Sequence, residues 1–288
     1  MEVGITTTVA DWSIDAQTIA RMVEEAGIPV LGFGEHTHIP AARETPYPGG
    51  SGAEKGKLPP GYERTIDLFV TLTQAAMVTT TLKLATGILQ VVQRDPIITA
   101  KEVATIDQLS QGRFLFGVGN GWNQDEIENH GTAFKSRHKL ARERIEAMKA
   151  IWANEEPEYH GEFVKFDKMK QWPKPFQKPH PPIIVGGRLE YAAKRAFRYG
   201  DGWIPRDDWL ETEGIESIHK FRKMAADAGR DPAGLPISIF RTPDNLDRLK
   251  LCQDIGIDRV VFSLPAEKED KILPIMDRWA ELQRQLGG

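Results

Sequence analysis

The sequence has very little cysteine: Cys252 is the only one among 288 residues. A single cysteine excludes an internal disulfide and a metal cage built from thiolates. We therefore expect the fold to depend on its hydrophobic core and the protein to lie in a reducing cytoplasm. Cys252 falls in a helical pattern shortly before Gly256, which predicts a small buried residue rather than a reactive thiol.

Long apolar runs and an excess of one charge are also missing. No apolar run is long enough to cross a bilayer, and strand-like sequence begins at Val3, so we expect no membrane span and no signal peptide. The 37 basic and 41 acidic residues give a formal net charge of −4. Because Lys and Arg are scattered rather than clustered, we expect a small-molecule partner and neither nucleic acid nor membrane.

The chain does contain a regular alternation of strand-like and helix-like segments. Hydrophobic residues make up 40% of it, enough for a large core. The predicted strands span residues 3–7, 30–34, 82–89, 114–118, 183–187, 202–205, 236–240 and 259–264. Eight β–α units favour an α/β fold of the (β/α)8 TIM-barrel type with insertions, in one domain over residues 1–288. An open doubly wound sheet is the alternative, and the absence of Gly-x-Gly-x-x-Gly after the first strand weakens it.

Two segments stand outside the repeat. Residues 38–61 are rich in Gly and Pro, and their length predicts a lid-like loop. Residues 154–181 form an insertion, in which the alternation over 158–167 predicts a small hairpin. The charged helix predicted at 137–152 and this hairpin could together form the interface of a homodimer. The alternative is that this surface faces solvent.

Functional residues of such a barrel lie where its strands end. Glu35-His36 follows the second strand, and a histidine beside a carboxylate can give or take a proton near neutral pH. A structural histidine bonded to backbone is the alternative. His36 and His38, or Glu126 and His130, hint at a metal, but a catalytic zinc needs about three protein ligands, so we predict no metal site.

Glycine-rich turns follow three other strands. Thr86-Gly87-Ile88 interrupts a β-branched run, which indicates either a kink or the close approach of a ligand. Gly119-Asn120-Gly121-Trp122 presents amides and a ring that can wall a pocket, or forms a tight turn with a core tryptophan. Gly186-Gly187-Arg188 precedes a helix, where free amides and a fixed charge can hold a phosphate, unless it is only a connector.

Taken in order along the chain, these segments resemble the luciferase-like flavin and deazaflavin oxidoreductases. The resemblance is closest to the branch that depends on coenzyme F420, an 8-hydroxy-5-deazaflavin, and it spans about residues 3–264. It rests on the combination of Glu35-His36 with the segments 86–96, 109–114, 117–126, 181–187 and 199–203.

The resemblance implies a site. The cofactor ring would lie over the end of the third strand, at a non-prolyl cis peptide between Gly87 and Ile88 or between Thr86 and Gly87. His36 would handle the proton, with Glu35 as the acid before it. The implied cofactor contacts are Thr86, Gly87, Ile88, Gln90, Gly119, Asn120, Gly121, Trp122, Gly186, Gly187 and Arg188. Related dehydrogenases of sugars carry an acid where this chain has Trp122, so that activity is not expected.

The resemblance therefore predicts hydride transfer between reduced coenzyme F420 and a small organic substrate. A two-component monooxygenase that uses FMN is the alternative within the same superfamily. A cofactor-free barrel isomerase or lyase ranks lower, because only Glu35 supplies the Lys or Glu that it needs at a strand end. Trp12, His38 and Trp203 are the predicted substrate contacts, which favours an apolar or planar substrate.

Overall fold

Eight parallel strands form the centre of the structure, a computed structural model that describes residues 1–49, 56–208 and 214–286. The strands of the described residues are β1 (Glu2–Thr7), β2 (Val30–Phe33), β3 (Lys83–Thr86), β4 (Leu89–Gln90), β5 (Phe114–Gly119), β6 (Tyr159–His160), β7 (Lys165–Phe166), β8 (Ile183–Gly186), β9 (Gly202–Ile204), β10 (Ser238–Phe240) and β11 (Arg259–Ser263), of which the three short strands β4, β6 and β7 lie outside this set of eight. The main sheet runs in the order β10-β11-β1-β2-β3-β5-β8-β9. Parallel bridges from Trp203 to Ile237 and from Arg206 to Phe240 join its two edges. The predicted (β/α)8 barrel is confirmed.

The helices pack around this sheet and share one buried core with it. They are α1 (Ala16–Glu25), α2 (Leu68–Val78), α3 (Pro96–Leu109), α4 (Gln124–Asn129), α5 (Arg137–Ala153), α6 (Leu189–Tyr199), α7 (Glu216–Asp227), α8 (Leu246–Asp254) and α9 (Glu269–Gln285). Among the residues that the structure describes, no helix is both long and apolar enough to cross a membrane.

Aspartates begin the first three of these helices. Asp15, Asp67 and Asp95 each accept hydrogen bonds from two backbone N–H groups of the first turn, which satisfies donors that a helix leaves unpaired. Ser13 precedes α1 but does not cap it, because its hydroxyl bonds the carbonyls of Ala10 and Ile14. The helix α7 begins at Glu216, and residues 209–213 lie outside the described residues.

The third predicted strand is broken in two. β3 ends at Thr86, and β4 pairs with β5, with Leu89 opposite Val118 and Gln90 opposite Gly119. The break lies at the end of the barrel where strands terminate, and the N–H of Gly87 still donates to the carbonyl of Phe33 in β2 at 2.7 Å. The chain therefore has a bulge where the sequence predicts a glycine-bearing kink.

The two excursions leave the barrel at different places. In the insertion, β6 and β7 pair antiparallel, as predicted. The segment 38–61 is described except for residues 50–55. Thr45 anchors this segment by donating its N–H and its hydroxyl to the carboxylate of Asp125, at 3.1 and 2.7 Å. This anchoring brings residues 47–49 over the ends of the strands.

Candidate active site

A cavity of about 450 Å³ lies at the C-terminal ends of the strands. Every strand of the barrel contributes to its wall at or just after its last residue: Thr7, Gly34, Gly87, Gly119, Gly186, Ile204, Phe240 and Ser263. Eleven of the sequence-predicted site residues line it together: Glu35, His36, Gly87, Ile88, Gln90, Gly119, Asn120, Gly121, Trp122, Gly186 and Gly187. The strand-end rule thus brings together residues that are far apart in the sequence, from Glu35 to Gly187.

Five predicted site residues are absent from the cavity wall. Thr86 is buried and donates its hydroxyl to the carbonyl of Gly117 at 2.6 Å. Trp203 is fully buried and donates its indole N–H to the carbonyl of Gly187 at 2.8 Å. Arg188 is exposed at the start of α6. The structure thus gives Thr86 and Trp203 roles in fixing the backbone behind the cavity.

Trp12 and His38 also lie outside the wall. Trp12 is half-buried beside Gly61. His38 is half-buried, and its two ring nitrogens lie 3.1 Å from the hydroxyl of Thr37 and 2.9 Å from the amide nitrogen of Asn129. Both residues pack at the base of the 38–61 segment rather than at the cavity.

His36 is held in the cavity by a partner on a different element. Its Nδ1 lies 2.8 Å from Oε2 of Glu126, with the two side chains 8% and 0% exposed. The backbone N–H of Thr37 donates to the other oxygen of Glu126 at 3.3 Å. Because a carboxylate accepts only, Nδ1 carries the proton in this contact, and Nε2 is left to exchange one.

Two aromatic rings flank the imidazole. The ring of His36 lies 4.9 Å from that of Tyr62 and 5.9 Å from that of Trp122, in an edge-on arrangement with the tryptophan. Tyr47 stands edge-on to Trp122 at 5.5 Å and to Tyr62 at 5.6 Å. These rings form an aromatic roof over His36, which consists of Tyr47, Tyr62 and Trp122.

Glu35 faces away from the imidazole. Its carboxylate accepts from Nε of Arg94 at 2.6 Å and from the backbone N–H of Gln90 at 2.9 Å. Burial raises the pKa of the Glu35 carboxyl, and the charge of Arg94 opposes that rise. The side chain of Gln90 donates to the Glu35 carbonyl at 3.1 Å. Glu35 therefore fixes β4 and the start of the His36 segment, whereas Glu126 contacts the ring.

From the sequence, Glu126 was considered only as a possible metal ligand together with His130, and not as the partner of His36. It lies on the short helix α4, which was not predicted as an element of the repeat. Among the described residues, no group of three or more His, Cys, Asp and Glu side chains could hold a metal ion. The signal available in the sequence was the position of Glu126, a carboxylate shortly after the glycines that end a strand.

The bulge after β3 forms the floor of the cavity. The Gly87–Ile88 peptide bond is cis, as the resemblance predicts. The side chain of Ile88 lies against Gly119, and a Cβ at Gly119 would overlap its Cδ1 atom. Only glycine at position 119 therefore lets β5 pass so close to the bulge.

A cationic corner lies where β5 and β8 end. It consists of Asn120, Arg137, His138 and Arg195, beside Gly186 and Gly187. Arg195 donates to the carbonyl of Gly186 at 3.0 Å, and Asn120 donates to Nδ1 of His138 at 2.6 Å. Partial burial, with the charges of Arg137 and Arg195, lowers the pKa of His138 to about 4.

This corner has the properties of an anion site. Nε of Arg195 is buried without a hydrogen-bond partner among the described residues. Burial and the charge of Arg195 also lower the pKa of Arg137, which means that the like charges destabilise one another. At Gly187, φ is +131° and a Cβ would lie 2.6 Å from Nη2 of Arg195, so the backbone must be bare there. A bound anion would relieve the repulsion and supply the missing acceptor.

Residues 7–243 match the model of the luciferase-like monooxygenase family, and the chain belongs to that family. Its members are oxidoreductases and monooxygenases.

Individual relatives extend this result. An uncharacterized protein of Mycobacterium tuberculosis is 38% identical over 288 residues, which cover 97% of this chain and 98% of that protein. The structure of monooxygenase RslO1 from Streptomyces bottropensis matches with a TM-score of 0.79 at 19% identity, over 100% of both chains. An F420-dependent secondary alcohol dehydrogenase, in complex with an F420–acetone adduct, matches with a TM-score of 0.75 at 16% identity, over 98% of this chain and 97% of that one. At these identities the two structures establish the fold.

Proposed function

We propose that the protein transfers a hydride between reduced coenzyme F420 and a small organic substrate. The observation that carries the proposal is the position of His36, which is held by the buried Glu126 in the same cavity as the Gly87–Ile88 bulge and the cationic corner. Support comes from the F420-dependent dehydrogenase that shares the fold.

The residues present fit such a cofactor. Gly87, Ile88 and Gly119 offer a bare, apolar surface to a flat ring, and Asn120, Gly186, Gly187 and Arg195 offer donors to a phosphate. The buried, unpartnered Nε of Arg195 is the donor that a phosphate oxygen would satisfy. When bound, the deazaflavin supplies the carbon that gives or accepts the hydride.

The chain itself supplies proton handling and exclusion of water. The Nδ1–H of His36 donates a hydrogen bond to Glu126, and this bond fixes the plane of the ring. The other nitrogen, Nε2, is then left to deliver a proton to the substrate atom beside the reacting carbon, or to remove one. The aromatic roof of Tyr47, Tyr62 and Trp122 covers the imidazole. A covered site strengthens the Glu126–His36 interaction, because it removes competing water.

The runner-up is an FMN-dependent two-component monooxygenase. It is favoured by the membership in the luciferase-like monooxygenase family and by the shared fold of the monooxygenase RslO1, and the cationic corner fits the phosphate of FMN equally well. A cofactor-free isomerase or lyase has less support, because the carboxylate of Glu35 is engaged by Arg94.

Direct titration separates the first two. The protein is titrated with F420 and, separately, with FMN in oxidised and reduced forms, and quenching of tryptophan fluorescence reports binding because Trp122 lines the cavity. We expect F420 to bind at least about tenfold more tightly than FMN, a difference of about 1.4 kcal/mol. Tighter binding of FMN overturns the proposal in favour of the runner-up, and binding of neither cofactor overturns both.

A further inference from the structure

Arg241 is a cation at the cavity wall that has no carboxylate partner among the described residues. It follows β10, it is half-buried, and its φ is +61°. No described carboxylate lies within 4.0 Å of its guanidinium, because the neighbouring Asp208 is engaged by Arg206 through two contacts of 2.7 and 2.8 Å. Its Nε is buried without a hydrogen-bond partner among the described residues. A buried charge in this state is costly unless a ligand completes it.

The partners that Arg241 does have are two neutral phenols. Its Nη2 donates to the hydroxyls of Tyr47 and Tyr62, the latter at 3.3 Å. Burial raises the pKa of Tyr62, so this phenol stays protonated and contributes no negative charge at neutral pH. The two hydroxyl oxygens are 3.3 Å apart. Since each accepts from Arg241 and only one can donate to the other, at least one O–H remains to donate elsewhere.

These donors converge beside the proposed proton-transfer residue. Tyr62 bonds Arg241 with its hydroxyl while its ring contacts that of His36 at 4.9 Å. The cationic corner that fits the cofactor phosphate is built from other elements, at the ends of β5 and β8. Arg241, Tyr47 and Tyr62 therefore form a second group of hydrogen-bond donors in the same cavity, on the side of the aromatic roof.

We infer that Arg241, with the hydroxyls of Tyr47 and Tyr62, binds a carboxylate of the substrate. This inference rests on the proposed function only in assigning the anion to the substrate, and it names the substrate class as a planar or aromatic organic acid. The carboxylate takes the guanidinium and phenol donors, and the aromatic roof contacts the planar body. The rest of the molecule then lies next to His36.

Benzoate and benzamide test the inference, since they share a ring and differ in charge. Isothermal titration calorimetry measures their binding to the full chain, with and without bound F420. We expect wild type to bind benzoate at least about tenfold more tightly than benzamide. Arg241→Met should reduce this preference to within about twofold, whereas Arg241→Lys, which keeps the charge and loses the fork, should retain part of it.

The control is Arg278→Met, which removes the same charge from an exposed arginine that pairs with Asp244 on the outer helix layer. It should leave the preference unchanged. Tyr62→Phe is a milder variant that keeps the ring, and it should lower the preference about three- to tenfold even if Arg241→Met does not fold. Folding of each variant is followed by thermal melting.

The outcomes separate the inference from the proposed function. An unchanged benzoate preference in both Arg241→Met and Tyr62→Phe overturns the inference. Loss of F420 affinity in Arg241→Met with an unchanged benzoate preference also overturns it, because the anion would then belong to the cofactor. Failure of wild type to bind F420 overturns the proposed function, while the calorimetry without cofactor still decides whether Arg241 binds a carboxylate.

Discussion

Replacing Arg195 by methionine removes the central cation of the corner and keeps an apolar side chain of similar length. Among the described residues, the buried Nε of Arg195 has no hydrogen-bond partner, and a phosphate oxygen could accept a hydrogen bond from it. A hydrogen bond to a charged group contributes about 1.5–3 kcal/mol net, and a tenfold change in affinity corresponds to about 1.4 kcal/mol. We therefore expect F420 affinity to fall about 10- to 150-fold in Arg195→Met.

The assay is fluorescence titration with F420, and inorganic phosphate serves as a second ligand that lacks the ring. Arg188→Met is the matched control, because Arg188 immediately precedes the helix that carries Arg195 but is exposed and absent from the cavity wall. It should change F420 affinity less than about twofold. Arg195→Lys should fall between wild type and Arg195→Met, since lysine keeps the charge without the planar fork.

The same variant has an independent readout in His138. The charge of Arg195 contributes to the low pKa of this histidine, which is about 4, so Arg195→Met should raise it, as followed by NMR titration. Equal or greater loss of F420 affinity in Arg188→Met would refute the assignment of the phosphate to the cationic corner. An unchanged His138 titration would refute the electrostatic description of the corner.

Four further predictions concern the rest of the site. His36→Ala should keep F420 affinity within about twofold and lose at least about 100-fold in turnover of reduced F420, as expected for a general acid or base; unchanged turnover contradicts its role. Glu126→Gln should lower turnover about 10- to 150-fold, whereas Glu128→Gln, on the same helix but exposed, should not. The pKa of His138 is about 4 in the folded protein, whereas its ordinary value is 6.5. The unfolded chain therefore binds more protons between these pH values, and the free energy of unfolding without ligand should fall as the pH drops from about 6.5 to 4. His138→Asn should make the free energy of unfolding less dependent on pH in this range. Gly119→Ala should displace Ile88 and weaken F420 binding, and unaltered binding would show that the close approach is dispensable.

Much of the fold could be predicted from the sequence because most strands of the barrel are short, largely apolar runs that alternate with helix-like segments. Such runs depend on local periodicity, which a single sequence displays. The break between β3 and β4 was visible only as Gly87 within an apolar run. The short helix α4 was missed as an element, because its six residues are mostly polar and carry little periodicity.

The candidate site could be predicted where position along a strand decides it. His36, Gly87, Gly119 and Gly187 follow strands, and the barrel brings strand ends together whatever the intervening sequence. The partner of His36 could not be chosen this way, since Glu35 is adjacent in sequence but points toward Arg94. Adjacent residues at a strand end point to opposite faces, so proximity in sequence was a poor guide to contact with the ring.

Long side chains on helices were the other difficulty. Arg188 stands directly after the diglycine and was the natural choice for a phosphate, yet Arg195, seven residues further along α6, reaches the cavity. Seven residues are about two helical turns, so both arginines share one side of the helix, and a side chain that leans toward the helix N-terminus points back to the diglycine. Trp203 shows the same limit, because its indole faces the core and bonds Gly187 from behind.

The charge of the cavity is a property that composition conceals. The chain carries a formal net charge of −4, yet the cavity wall includes Arg195, Arg206 and Arg241, and its carboxylate, that of Glu35, is paired with Arg94. Field lines concentrate in such a cleft and attract anions to it regardless of the charge elsewhere. We therefore expect this cavity to accommodate anionic ligands more readily than a cationic substrate.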